Sequence, residues 1–211
     1  MIRLRVTGAC AVAHTAAPTV AFTVRIDASA NAHIHAVALQ TLIRLEPGRR
    51  HHNQAEQRAL FELFGEPSRW TQTLQPLFWA EVSRIVPAFQ GSCEIELVVP
   101  CSYDLYIASS KYLHAIRGGP APLQFLFRGT VFTEVESGFD VSMIPWDRQA
   151  AFDLPAETWR AAMDAYFPDQ GWLRLHRDVI DSLIEFKAAR ALPSWDAVVR
   201  DLLASHTEVP S

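Results

Sequence analysis

Several side chains in the first two thirds of this chain have the types and spacing that chemistry needs. His33 and His35 stand two apart on a run that alternates like a β-strand, so both imidazoles face one side, and His51-His52 follow one strand later. Imidazoles so placed could share a divalent metal ion, yet no Asp, Glu or Cys stands in a recognised ligand spacing with them. His33, His35, His51 and His52 are therefore weak metal candidates, and no cofactor is assigned. Cys101, Asp104 and His114 supply a thiol, a carboxylate and an imidazole within one segment, the parts of an activated nucleophile. Nearness in sequence is not nearness in space, and a buried structural thiol is the plainer reading of Cys101.

Cations beside aromatic rings are the other concentration. Arg49 and Arg50 follow Glu46, which reads as a surface ion-pair cluster, with an anion site as the sharper alternative because guanidinium forks fit carboxylate or phosphate. No phosphate loop accompanies them: Gly118-Gly119 lacks the Walker and dinucleotide spacings. Arg69-Trp70 and Lys111-Tyr112 set a cation next to a large ring, the composition of an interface anchor. Arg49, Arg50, Arg69, Trp70, Lys111 and Tyr112 thus form the candidate partner-binding set. Cys101, Asp104 and His114 form the candidate pocket, and no catalytic residue is assigned.

The elements that must position these groups are strands first and helices last. Pro18 to Asp27 alternates with Val20, Phe22, Val24 and Ile26 on one face. His33 to Leu45, Trp79 to Val86, Cys93 to Val99, Tyr103 to Ala108, Leu123 to Val135 and Phe139 to Ile144 also read as strands, bounded by Pro and Gly. Gln54 to Phe64 has helical spacing, with Asn53 and Glu56 as a capping box and Gly65 at its end. Ser110 to Ile116 reads as a short helix. After Trp146, Pro155 to Phe167, Trp172 to Ala191 and Trp195 to Leu203 are helical, the last capped by Ser194. The expected fold is α+β: an antiparallel, immunoglobulin-like β-sandwich of about seven strands with an inserted helix and a C-terminal helical segment. The sandwich spans 1–147 with its helical insertion near 53–73, and the helical segment, 148–205, packs on it.

Composition narrows the function classes. At 211 residues and 49% hydrophobic, the chain can bury a sizeable core. Nineteen Lys+Arg against 23 Asp+Glu leave a net charge of −4, without the basic surplus of a nucleic-acid binder. No apolar run reaches the ~20 residues of a membrane helix, and the N-terminal stretch, broken by His14 and Pro18, does not read as a signal peptide. Three irregularly spaced cysteines make neither a disulfide framework nor the ligand set of an iron–sulfur centre. A cytoplasmic location is expected.

The segments IRLEPGRR (43–50), LFGEPSRW (63–70), VPCSYD (99–104) with KYLHAI (111–116), FRGTVF (127–132) and IPWD (144–147) carry a resemblance. From Pro18 to about Leu203 the chain resembles an uncharacterised bacterial family encoded in gene clusters of actinobacterial-type, high-affinity nickel–iron hydrogenases. The resemblance implies a context and no active-site residue: an accessory protein for assembly, maturation or regulation of a hydrogenase. Its partner would be a hydrogenase subunit or maturation factor, while composition and hydropathy separately argue against nucleic acid and membrane insertion. The expected function is accordingly non-enzymatic contact through the Arg- and aromatic-rich middle block. The alternative is a small-ligand-binding protein or enzyme with a pocket between the sandwich and the C-terminal helices, drawing on Arg49, Arg50, Cys101, Asp104, Lys111 and His114.

Overall fold

The computed structural model describes residues 2–102, 104, 107–136, 138–166, 168 and 173–207. In chain order the elements are β1 (Arg3–Val12), β2 (Thr19–Asp27), β3 (His33–Leu45), α1 (Gln54–Ala59), α2 (Phe61–Phe64), α3 (Trp70–Thr73), β4 (Leu77–Val86), β5 (Phe89–Gln90), β6 (Ser92–Pro100), α4 (Ala108–Ala115), β7 (Pro120–Val135), β8 (Gly138–Met143), β9 (Gln149–Pro155), α5 (Ala156–Asp164), α6 (Arg177–Ala189) and α7 (Trp195–Thr207). The fold is α+β, with a three-stranded sheet ordered β1-β2-β6 and a six-stranded sheet ordered β4-β3-β7-β8, to which β5 adds on β3 and β9 on β7. All pairings are antiparallel.

Alternation decides which side of each sheet meets the core. Val20, Phe22, Val24 and Ile26 of β2 are all fully buried, as the period of two along an extended strand requires. Phe22 is where the two sheets meet. Its ring lies edge-on to Trp79 of β4 (5.7 Å between centroids), Phe125 of β7 (5.1 Å) and Phe152 of β9 (6.0 Å). Burying such a ring is worth about 2–3 kcal/mol, and edge-to-face pairs add about 0.5–1.5 kcal/mol each.

Three strands fall outside the sequence-based set, the two-residue β5 among them. β1, RLRVTGACAV, pairs along the whole of β2. β9, QAAFDLP, pairs with the first half of β7 and carries Phe152 to the ring cluster. The expected helix over Gln54 to Phe64 is interrupted at Leu60, and its Asn53–Glu56 capping box is formed. The expected strand from Tyr103 to Ala108 falls partly outside the described residues; Ala108 itself opens α4. The helix expected from Trp172 begins at Arg177, Trp172 lying outside the described residues.

The chain forms two compact units, Met1–Gly171 and Trp172–Ser211, a division some way past the expected boundary after Asp147. β9 completes the larger sheet and α5 packs on β1, β2 and β9, so both belong to the first unit. In the second unit α6 and α7 pack together. There Arg190 pairs with Asp201 (2.6 Å) and covers the Phe186 ring (4.8 Å). The Ser194 hydroxyl accepts the Ala197 N–H (3.1 Å), the N-cap its position predicts.

One glycine is fixed by close approach. Gly129, in the FRGTVF segment of β7, sits opposite Leu39 of β3 at φ +148°, and a Cβ there would collide with the Ala38 carbonyl oxygen. No rotamer relieves a clash with backbone. We expect Gly129→Ala to destabilise the first unit by about 2–4 kcal/mol, seen as a fall of roughly 5–15 °C in its thermal transition; an unchanged transition would refute this account of the glycine.

Candidate functional site

The middle block folds around one carboxylate. Glu56 is 1% exposed. Its Oε1 accepts the backbone N–H of Arg117 (2.8 Å) and an Arg50 guanidinium N–H (2.9 Å), while Oε2 accepts the Asn53 N–H (3.1 Å). Arg50 also donates to the carbonyls of Gly118 (2.9 Å) and Pro120 (3.1 Å). One ion pair thereby ties the exit of β3, the start of α1, the end of α4 and the start of β7. Burial alone would raise the Glu56 pKa, but the N–H groups of Arg117 and Asn53 and the Arg50 charge outweigh it and hold the carboxyl below its ordinary value. Beside it His52 is buried, 3.3 Å from the Tyr112 hydroxyl and edge-on to the Trp70 ring (5.4 Å). Burial, then the Arg50 charge, push the His52 pKa down.

The candidate partner-binding residues therefore divide. Tyr112 is 0% exposed, its hydroxyl pKa raised by burial, and Arg50 is held by Glu56 and two carbonyls, so neither presents a surface. Trp70 is half-buried and donates its indole N–H to the Gly65 carbonyl (3.0 Å). Lys111 pairs with Glu62 (2.5 Å). Arg49 and Arg69 are exposed. Glu46 pairs with Arg44 (2.6 Å) rather than with the Arg49-Arg50 pair.

The candidate pocket residues meet different surroundings. Cys101 is buried, its Sγ lies 3.6 Å from the Val99 carbonyl oxygen, and burial pushes the thiol up to about 12. A thiol so raised is no nucleophile at neutral pH. The Asp104 N–H donates to the Ser102 hydroxyl (3.1 Å). His114 stands edge-on to Trp159 of α5 (6.1 Å), where partial burial and then Arg117 and Arg160 lower its pKa.

The histidine pairs go to different partners. His35 meets the Glu134 carboxylate (3.2 Å) and the Phe139 ring (4.6 Å), and His33 meets Gln90 (3.4 Å). His51 is exposed and His52 is buried in the Glu56 cluster. Among the described residues no three His, Cys, Asp or Glu side chains gather as a metal set, and no helix is long and apolar enough to cross a membrane.

Two features carry residues that the sequence does not single out. The first is β8, an edge strand with every residue exposed. Phe139 (56%), Val141 (58%) and Met143 (71%) line one face of it, and Trp146 just beyond is 91% exposed. The second is a recess of about 320 Å³ between the end of α4 and α5, lined by His114, Ile116, Arg117, Trp159, Arg160, Met163 and Asp164. Alternation marks β8 as a strand, but nothing local says that its outer edge lacks a partner. Arg117 and Arg160 meet only through the tertiary fold.

A family model described as a family of unknown function (DUF6084) matches residues 1–211. The chain belongs to that family. No curated protein matches the DUF6084 chain. Among solved structures, the solution structure of a candidate late embryogenesis abundant (LEA) protein is similar at 10% identity and a TM-score of 0.31, covering 74% of the DUF6084 chain and 72% of its own.

Depressed pKa values at Glu56 and His52 both mean stability lost on acidification. His52 contributes its loss as pH falls below its ordinary 6.5, and Glu56 below its ordinary 4.5. We expect urea unfolding to show stability falling in those two windows, the upper one reduced in His52→Gln to the share of His114, whose pKa is also lowered, and the lower one reduced in Glu56→Gln. At neutral pH Glu56→Gln is expected to cost about 2–4 kcal/mol, because Arg50 keeps its burial and loses its counter-charge. Flat stability between pH 7 and 4 would contradict this. Thiol labelling of the native protein is expected to modify exposed Cys10 first and to spare Cys101 until denaturant is added; rapid native labelling of Cys101 would refute its burial.

Proposed function

We propose that this chain is a non-enzymatic interaction protein that serves assembly, maturation or regulation of a nickel–iron hydrogenase, working in the cytoplasm with a hydrogenase subunit or maturation factor as its partner. The observation that carries the contact role is β8: an edge strand paired to β7 on one side and to no strand among the described residues on the other, whose apolar face, Phe139, Val141 and Met143, points to solvent with Trp146 beside it. Free-standing proteins blunt such an edge with lysine, proline or a covering loop. β8 carries no Lys and no Pro. An extended segment of a partner can add to it as a further strand, its main chain supplying the hydrogen bonds and the apolar face the anchors. The hydrogenase context rests on the six sequence segments of the resemblance, one of which, IPWD, contains Trp146.

The sandwich itself is read as immunoglobulin-like, a reading supported by the antiparallel pairing throughout and by the ring cluster around Phe22. In this reading the partner-binding surface is β8, and the middle block has the structural task of fixing α1 and α4. A second reading, a small-ligand-binding protein, is favoured by the recess at the end of α4.

Tagged protein purified from a native hydrogenase-expressing cell is expected to recover a hydrogenase subunit or maturation factor. Val141→Lys is expected to cut that recovery about tenfold while leaving stability within about 0.5 kcal/mol. No recovery above background by the wild type, or equal recovery by Val141→Lys, would overturn the reading.

A further inference from the structure

The recess between α4 and α5 has a chemistry that the contact role does not use. Its floor is apolar: Ile116, Trp159 and Met163 are all buried. Its polar lining is mostly basic. Arg160 donates a terminal Nη2 N–H to the Ile116 carbonyl (2.6 Å), which orients the guanidinium and leaves its Nε and Nη1 without a partner among the described residues. Arg117 gives its backbone N–H to Glu56, and its guanidinium has no ion-pair or hydrogen-bond partner among the described residues. Asp164 is the one carboxylate of the lining, and it pairs with neither guanidinium. His114, from the same wall, feels both arginine charges.

The two arginines are held by different parts of the fold. Arg117 follows α4 and is anchored through its backbone to the Glu56 carboxylate, while Arg160 projects from the middle of α5, whose Trp159 and Met163 are packed in the core. Neither anchor uses the tip of the Arg117 side chain. Arg117 is exposed on the rim of the recess, and Arg160 is half-buried with one terminal N–H on the Ile116 carbonyl, so each keeps guanidinium N–H groups for a ligand. Two guanidiniums on one concave wall repel each other in the empty protein, and an oxyanion between them removes that cost.

We propose that this recess binds a small molecule carrying an oxyanion, a carboxylate or a phosphate, on an apolar body. Arg117 and Arg160 take the oxyanion, since planar forks match both groups with paired hydrogen bonds. Ile116, Trp159 and Met163 take the apolar body. A volume of about 320 Å³ lies at the small end of ligand cavities, which suits a compact metabolite rather than a dinucleotide or a peptide. Nothing in this site depends on β8, so it stands or falls apart from the interaction reading.

The test is calorimetric titration of the full chain with two probes, benzoate and phenyl phosphate, which distinguish the two oxyanions. Saturable binding of at least one probe is expected. It should weaken about ten- to hundredfold in Arg117→Gln, tighten in Asp164→Asn, and fall in Arg160→Gln. Arg117→Gln should keep the wild-type thermal transition, because its side chain holds no other part of the fold. Absence of saturable binding by both probes, or undiminished binding in Arg117→Gln and Arg160→Gln, would overturn the proposal.

Discussion

The middle of this protein depends on a single buried carboxylate. Between Leu45 and Pro120 the chain leaves one strand of the large sheet and returns by its neighbour, and Glu56 gathers both ends of that excursion through Arg50, Asn53 and Arg117. A buried ion pair of this kind is not worth much as net stability, since desolvation offsets most of its attraction, but losing one partner is costly. Its effect is therefore specificity of arrangement. It fixes where α1 begins and where α4 ends, and with them the position of Tyr112 in the core and of Arg117 at the recess.

That constraint reassigns residues that look functional in sequence. Arg50, His52 and Tyr112 have the chemistry of a binding site, but Arg50 is engaged by Glu56 and two carbonyls, and His52 and Tyr112 meet each other. Two outward-facing features are plainer: an apolar edge strand on the large sheet and two arginines around an apolar recess. Both are places where the fold leaves interactions incomplete. Among the described residues, β8 has main-chain groups on its outer edge without a strand beside them, and Arg117 has a charge without a counter-charge.

The sequence was legible where one local rule decides the outcome. The alternation of Val20, Phe22, Val24 and Ile26 marks a buried strand face, and Asn53 with Glu56 marks a helix start; both are found in the structure. It was illegible where the deciding partner is distant. The RLRVTGACAV run alternates only weakly and is a strand because β2 lies beside it. QAAFDLP has too few β-branched residues to declare itself and is held by β7. Asn53–Glu56 reads as a cap, yet Glu56 takes its main role from Arg117, which is 61 residues away. Gly129 is a glycine because of the Ala38 carbonyl, a contact that no pattern near it encodes. Burial could not be assigned from residue type either: Trp70 and Tyr112 look alike as anchors, yet Tyr112 is buried, Trp70 is half-buried, and Trp146, in a short Pro-Trp-Asp turn, is 91% exposed.

The central claim is that contact is made through β8 and not through the middle block. Amide hydrogen exchange, read by mass spectrometry on the protein alone and in complex with the proposed hydrogenase partner, tests it most directly. The account predicts that amides of 138–143 exchange freely in the isolated protein and become protected in the complex, while those of α1 and α4 are protected equally in both. Protection gained over 43–70 or 108–117, with β8 unchanged, would contradict it.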